Sequence, residues 1–216
     1  MSVLEWRTYN PSGSKRIIVT KELPGDRWLK ILHEVNFRVE VCTSTNILSI
    51  SEIKSAIADQ CDGVIGQLTE KWGEDLFSAL AAAGGKAYSN YAVGYNNVDV
   101  AAANKHGVAV GNTPGVLTET TTEMTVTLTL AAARRVVEAD TFMRAGHYTG
   151  WLPSLFLGER LIGKTVGVVG AGRIGSAYAR AMVEGFKMDL IYHDLQPNIA
   201  LEDYIKAYSV FLESRG

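Results

Sequence analysis

The chain of 216 residues is poor in several features, and each scarcity removes a class of function. Its two cysteines, Cys42 and Cys61, fit neither a metal-ligand spacing nor a redox pair. A disulfide scaffold or zinc module is therefore excluded, and both thiols are expected to be buried and free, as in a reducing compartment. Neither charge is in excess, with 21 Lys and Arg against 23 Asp and Glu and a net charge of −2. The basic footprint that nucleic acid or an anionic membrane surface selects is missing. No apolar run is long enough to span a bilayer, and the opening MSVLEWRTYNPSGSKR lacks the apolar core and cleavage site of a secretory signal. What remains is ordinary globular composition, 47% hydrophobic and 20% charged, long enough for one large domain or two modest ones. Small-molecule chemistry is the expectation.

Short Val/Ile-rich runs alternate with longer segments whose apolar residues recur at helical spacing, the mark of parallel α/β structure. Strands are expected at 16–20, 37–42, 63–66, 87–90 and 108–110, enough for a flavodoxin-like domain. Between them, Trp28, Leu29, Leu32 and Val35 share one side of a helix, and Ser49 or Ser51 can cap the next. Asn112-Thr113-Pro114-Gly115 then breaks the rhythm, and the domain boundary is set there, giving domains at 1–115 and 116–216. A long helix is expected from about Thr118 to Arg144, with Thr120-x-x-Glu123 in capping-box form. Its many threonines oppose helix intrinsically, so packing must hold it, as in an interdomain connector or subunit contact.

The sharpest local signal is KTVGVVGAGRIG, a β-branched strand running from Lys164 into Gly170-x-Gly172-x-x-Gly175 and then a helix. Gly170 allows the tight turn, Gly172 lets backbone approach a pyrophosphate, and Gly175 lets helix pack on strand. The helix start adds free N–H groups and a positive dipole end. A second strand, DLIYH, ends at Asp194, about 20 residues on, where an acidic side chain meets the ribose hydroxyls of NAD and repels the 2′-phosphate of NADP. A second constellation is NYAVGYNNVD, in which the backbone N–H groups of Val93 and Gly94 could hold a carboxylate.

Together, Val93-Gly94-x-x-x-Val98-Asp99, the run GVAVGNTPGVLTETT and the Gly-x-Gly-Arg-Ile-Gly fingerprint resemble the D-isomer-specific 2-hydroxyacid dehydrogenases in order and spacing. CDGVIGQLTE, GGKAYSNYAVGYNNVDV and IGSAYARAMVEGFKM are similar to plant-type NADH-dependent hydroxypyruvate reductases. The resemblance implies a flavodoxin-like substrate domain followed by an incomplete Rossmann NAD-binding domain. It implies a small 2-oxo or 2-hydroxy acid as substrate, NAD(H) as cofactor and a homodimer, with no nucleic-acid or membrane partner. By the same resemblance Val93 and Gly94 hold the substrate carboxylate and Thr121 lies near the nicotinamide. Arg173 and Ile174 lie over the pyrophosphate, with Gly170, Gly172, Gly175 and Asp194 completing the cofactor site. One departure is Thr122-Glu123-Met124, where relatives commonly carry Ala-Glu-Leu.

The family's catalytic Arg, Glu and His belong to a segment beyond the second nucleotide-domain strand, so no catalytic residue is assigned among these 216 and the polypeptide alone is expected to be inactive. His33, His106, His147 and His193 do not substitute by position. An intracellular location, peroxisomal or cytoplasmic, is implied without a visible address signal. The rival reading is a non-catalytic, NAD(H)-responsive binding or corepressor-like protein, because fold alone does not fix function.

Overall fold

A computed structural model describes residues 4–214. The chain divides into two compact units, with the boundary in the sequence between Gly115 and Val116.

In the first unit, five parallel strands form a sheet: β2 (Lys15–Val19), β3 (Phe37–Cys42), β4 (Gly63–Gly66), β5 (Ala87–Asn90) and β6 (Ala109–Gly111). A short strand that the sequence pattern did not disclose, β1 (Trp6–Tyr9), runs antiparallel along β3, giving the order β1-β3-β2-β4-β5-β6. Without β1 this is the doubly wound order of flavodoxin-like folds. The central strands β2, β3 and β4 are buried over most of their length and read as near-continuous apolar runs, whereas β5 alternates exposed and buried positions. Ile18 and Val64 face one core with Ile53, Ile57, Leu76 and Phe77. Ile17, Val19, Val39 and Val41 face another with Trp28, Leu29 and Leu32.

The helices of this unit are α1 (Arg27–Glu34), α2 (Ile50–Ile57), α3 (Glu74–Ala82) and α4 (Val100–Lys105). Ser49 begins α2 with a full capping box, its hydroxyl accepting from Glu52 N–H while the Glu52 carboxylate accepts from Ser49 N–H at 2.7 Å. Val35, expected on the buried side of α1, is instead 53% exposed because the helix ends before it and Asn36 turns to φ +57°. Cys42 and Cys61 are buried free thiols, and burial pushes the Cys61 thiol up to about 11.

The second unit contains α5 (Thr118–Ala133), α6 (Val136–Arg144), β7 (Thr165–Val169), α7 (Arg173–Phe186), β8 (Asp189–His193) and α8 (Ile199–Glu213). The single helix expected over 118–144 is broken at Arg134–Arg135, where Arg135 adopts φ +56° and pairs with Glu138. Nor does Thr120 cap a helix: α5 starts earlier, and the Thr120 hydroxyl donates to the Leu117 carbonyl at 3.2 Å. Strands β7 and β8 pair in parallel from Thr165↔Asp189 to Val169↔His193. Val166 and Val168 point into a core with Ala179, Met182 and Leu201, whereas Val169 and Ile191 are 88% and 65% exposed.

Candidate functional site

Two clusters are built separately, one in each unit. In the second unit, β7 ends at Val169 and Gly170 takes φ +90°, a conformation L side chains rarely adopt. Gly170 N–H donates to the His193 carbonyl at 2.8 Å, tying the turn to the end of β8. Ala171 is buried, and its carbonyl accepts from the Ser176 hydroxyl at 2.8 Å and from Asn198 Nδ2 at 2.6 Å. Asn198 also donates to Ser176 Oγ at 2.9 Å and caps α8 by accepting from Leu201 N–H. The turn is thus clamped from α7 and α8 at once. Ser176 and Asn198 were not singled out from sequence; a polar residue just inside the glycine helix and an Asn before the next helix were the available signals.

The three glycines have different physical grounds. A Cβ on Gly175 would lie 2.0 Å from the Gly170 carbonyl oxygen, so helix and turn touch there through bare backbone. A Cβ on Gly172 would meet nothing within 4 Å, and Gly172 has an ordinary negative φ of −72°. Neither strain nor packing within the described chain requires glycine at 172. What is left is the space itself, directly at the start of a 14-residue helix whose first N–H groups have no intrahelical acceptor. Arg173 is exposed beside it with no partner among the described residues, and Ile174 is half-buried. Asp194 follows the last residue of β8, exposed, one Oδ accepting from Leu195 N–H at 2.7 Å. Because Val169 pairs with His193, the glycine turn and Asp194 share the carboxyl end of the strand pair. Open space at Gly172 is thus edged by free N–H groups and the Arg173 guanidinium, with a carboxylate one strand away, donors and acceptor of the kinds that a diphosphate and a ribose require. Thr121 lies half-buried on α5, its N–H bonded to the Leu117 carbonyl at 3.0 Å; no hydrogen bond joins it to the turn among the described residues.

In the first unit, the loop after β5 carries Val93, half-buried, and Gly94, exposed, where a Cβ would meet nothing within 4 Å. The N–H groups of both have no acceptor among the described residues. Beneath them lies a buried polar layer. Asn90, fully buried, accepts from the Tyr88 hydroxyl at 3.0 Å and donates to the Gly94 carbonyl at 2.9 Å. Asn97 donates to the Glu70 carbonyl at 3.0 Å, joining this loop to the one after β4. Tyr88 is stacked on Trp72 with centroids 4.0 Å apart, and burial, with the nearby Glu70 carboxylate, pushes its phenol well above the ordinary range. A Cβ on Gly66 would strike the Tyr88 ring at 2.6 Å, so glycine is needed there for packing.

The histidines do not gather at either cluster. His106 Nε2 lies 2.9 Å from a Glu74 carboxylate oxygen, which Lys105 also engages, and His193 is the last residue of β8. Among the described residues no group of His, Cys, Asp and Glu could hold a metal ion.

Comparison with known proteins agrees with this architecture. A family model described as D-isomer specific 2-hydroxyacid dehydrogenase, catalytic domain, matches residues 17–207. Glycerate dehydrogenase of Cucumis sativus is 66% identical over 209 residues, covering 96% of this chain and 55% of its own length. The peroxisomal glycerate dehydrogenase HPR of Arabidopsis thaliana is 64% identical over 209 residues, with 96% and 54% covered. The chain therefore spans about half the length of these curated relatives. Among solved structures, the TT0316 protein from Thermus thermophilus superimposes with a TM-score of 0.80 at 38% identity, covering 85% of this chain and 57% of that one. Apo D-lactate dehydrogenase from Escherichia coli gives 0.68 at 25% identity, with 87% and 58% covered. With its α/β architecture, its glycine turn and a family match over most of its length, the chain belongs to the D-isomer-specific 2-hydroxyacid dehydrogenase family.

Proposed function

We propose that the protein takes part in reversible hydride transfer between NADH and a small 2-oxo acid such as hydroxypyruvate or glyoxylate. The observation that carries this reading is Gly172. It is a residue with no conformational or packing need to be glycine, standing open at a helix start with Asp194 at the end of the neighbouring strand. Residues 116–216 would form the interdomain helix and the first part of the NAD-binding domain, and 1–115 the substrate domain.

In the cofactor site, the N–H groups at the start of α7 and the Arg173 guanidinium would hold the diphosphate, and Asp194 would accept from the ribose hydroxyls while disfavouring a 2′-phosphate. Thr121 and Ile174 would complete the cofactor surface. NADH supplies the hydride when bound. In the substrate domain, Val93 and Gly94 would orient the acid by donating both N–H groups to its carboxylate. This binds and positions the carbonyl without supplying a proton, and no residue of the chain is assigned the acid–base step.

The assay is NADH absorbance in the presence of hydroxypyruvate or glyoxylate, using the full product of the gene, together with titrations of NADH and NADPH. Turnover with NADH preferred supports the proposal. Tight NADH binding with no turnover of any 2-oxo acid would reject it in favour of a nucleotide-responsive binding protein.

The same proposal includes a homodimer. It is supported by the apolar surface of α6 and the segment after it, where Val137, Trp151 and Leu157 are 70%, 79% and 68% exposed. Light scattering on Trp151→Asp should show dissociation, and an unchanged mass would count against this face. The name of the Arabidopsis relative contains the word peroxisomal; a peroxisomal or cytoplasmic location here is checked by imaging the tagged protein.

A further inference from the structure

Three consecutive carbonyls in the loop after β5 are each held by a different donor. Ala92 O accepts from Thr113 N–H at 2.9 Å, Val93 O from Asn112 Nδ2 at 2.9 Å, and Gly94 O from Asn90 Nδ2 at 2.9 Å. The described peptide bonds are all trans, so in each plane the N–H of the next residue points opposite to the held carbonyl. Fixing Ala92 O therefore fixes the direction of Val93 N–H, and fixing Val93 O fixes Gly94 N–H. These are the two donors left without an acceptor.

We infer that Asn112 is a positioning residue: its side chain, with the Thr113 N–H, holds the peptide planes so that the Val93 and Gly94 N–H groups stay aimed at a substrate carboxylate. The inference rests on the reading that those two groups bind the substrate. Loops of this kind otherwise exchange peptide orientations readily, because a plane can rotate between its two flanking residues, and Gly94 places no Cβ in the way. Donor and target lie in the loops that follow two neighbouring parallel strands. Asn112 and Thr113 follow β6, while Ala92 and Val93 follow β5, so the register Ser89↔Gly111 brings the two loops side by side.

Asn90 and Asn112 differ in a way that makes the inference testable. Asn90 is fully buried and bonded to Tyr88, Gly94 and Asn97, so its loss would disturb the core. Asn112 is exposed and makes one side-chain bond, to Val93 O. Asn112→Ala should then leave the melting temperature and the NADH dissociation constant as they are. It should raise KM for hydroxypyruvate about 10-fold, the order expected when a hydrogen bond to a charged group is misaligned, with kcat changed far less. Asn112→Gln keeps an amide donor and should recover part of the loss. The measurements are made on the full gene product. If the unmodified protein fails to oxidise NADH whichever 2-oxo acid is supplied, the underlying functional reading fails. If it turns over and Asn112→Ala keeps the parental KM, the positioning role alone is overturned. That role is likewise overturned if kcat and melting temperature fall together while KM stays constant.

Discussion

Gly172 and Gly175 lie three residues apart on the same helix start, and substituting them should move stability in opposite directions. In Gly175→Ala the new Cβ would sit 2.0 Å from the Gly170 carbonyl oxygen and 3.2 Å from Val168 Cγ1. The oxygen is backbone, so the helix start must lift away from the turn by about 1 Å or more, an overpacking cost of about 1–3 kcal/mol. Alanine's better helix propensity returns somewhat under about 1 kcal/mol. A net loss of about 1–2 kcal/mol corresponds to a melting temperature lower by roughly 5–15 °C in a unit of this size. Gly172→Asp meets open space and an extended N-cap conformation, φ −72° and ψ −157°. Aspartate there can accept from the first turn and complements the helix dipole, a gain of about 0.3–1 kcal/mol and a few degrees in melting temperature. Yet it sets a negative charge where the diphosphate belongs, and NADH affinity should fall about 100-fold or more, roughly 2.7 kcal/mol. Thermal melts and NADH fluorescence titrations on both variants read these effects. Gly172→Asp melting as low as Gly175→Ala would refute the claim that position 172 is free of structural need. Gly172→Asp binding NADH as the parent does would refute the diphosphate assignment.

Asp194→Ala should weaken NADH more than NADPH, because it removes both the ribose acceptor and the repulsion of a 2′-phosphate; an unchanged ratio of the two dissociation constants would contradict this. Burial pushes the Glu40 carboxyl up, but the Arg16 and Arg38 guanidiniums outweigh it and hold the group below its usual value of 4.5. Its stabilisation is therefore present above that pH and lost as pH falls through the lower folded value. Glu40→Gln should cost about 2–3 kcal/mol at neutral pH by removing the counter-charge of Arg16, whose guanidinium keeps only the Ala56, Ile57 and Gln60 carbonyls, and should flatten the acid limb of stability measured by urea titration; an equally steep limb would count against the pair. Ala58 ends α2 at φ +50° and ψ −142° and is exposed, so Ala58→Gly should raise stability by about 1 kcal/mol. A lower urea midpoint would show that the conformation carries no strain.

The strand–helix alternation was legible because apolar strands, whether buried throughout as in β3 or alternating as in β7, and one-sided helices write their periods into local sequence. Gly63–Gly66 and Ala87–Asn90 coincide with their expected spans, and Lys15–Val19 and Ala109–Gly111 differ by one residue at each end. β1 was not legible: Trp6–Tyr9 has an intermediate-exposed-exposed-intermediate pattern, and its pairing partner Val39–Cys42 lies some 30 residues away. The break at Arg135 escaped for a related reason, since a single positive φ leaves no mark on periodicity. The glycine turn announced itself, because each glycine's separation follows from the geometry of a strand turning into a helix. The clamps around it did not. Asn198 reaches Ala171 from 27 residues away and Asn112 reaches Val93 from 19, and an amide side chain carries no sign of which distant carbonyl it will find.

The threonines of α5 have a further consequence. Thr122, Thr125, Thr127 and Thr129 each donate their hydroxyl to the carbonyl four residues earlier, at 2.8 Å. At Thr122, Thr125 and Thr127 the hydroxyl is thereby withdrawn against the helix's own backbone and the γ-methyl is the part left to meet a neighbour, while the Thr129 hydroxyl also meets the Tyr178 hydroxyl at 2.9 Å. By its letters the helix is among the more polar stretches of the chain. At Thr122, Thr125 and Thr127 the side chain therefore presents itself much as a valine would, and Thr→Val there should pass almost unnoticed, whereas Thr129→Val would break the 2.9 Å contact with the Tyr178 hydroxyl.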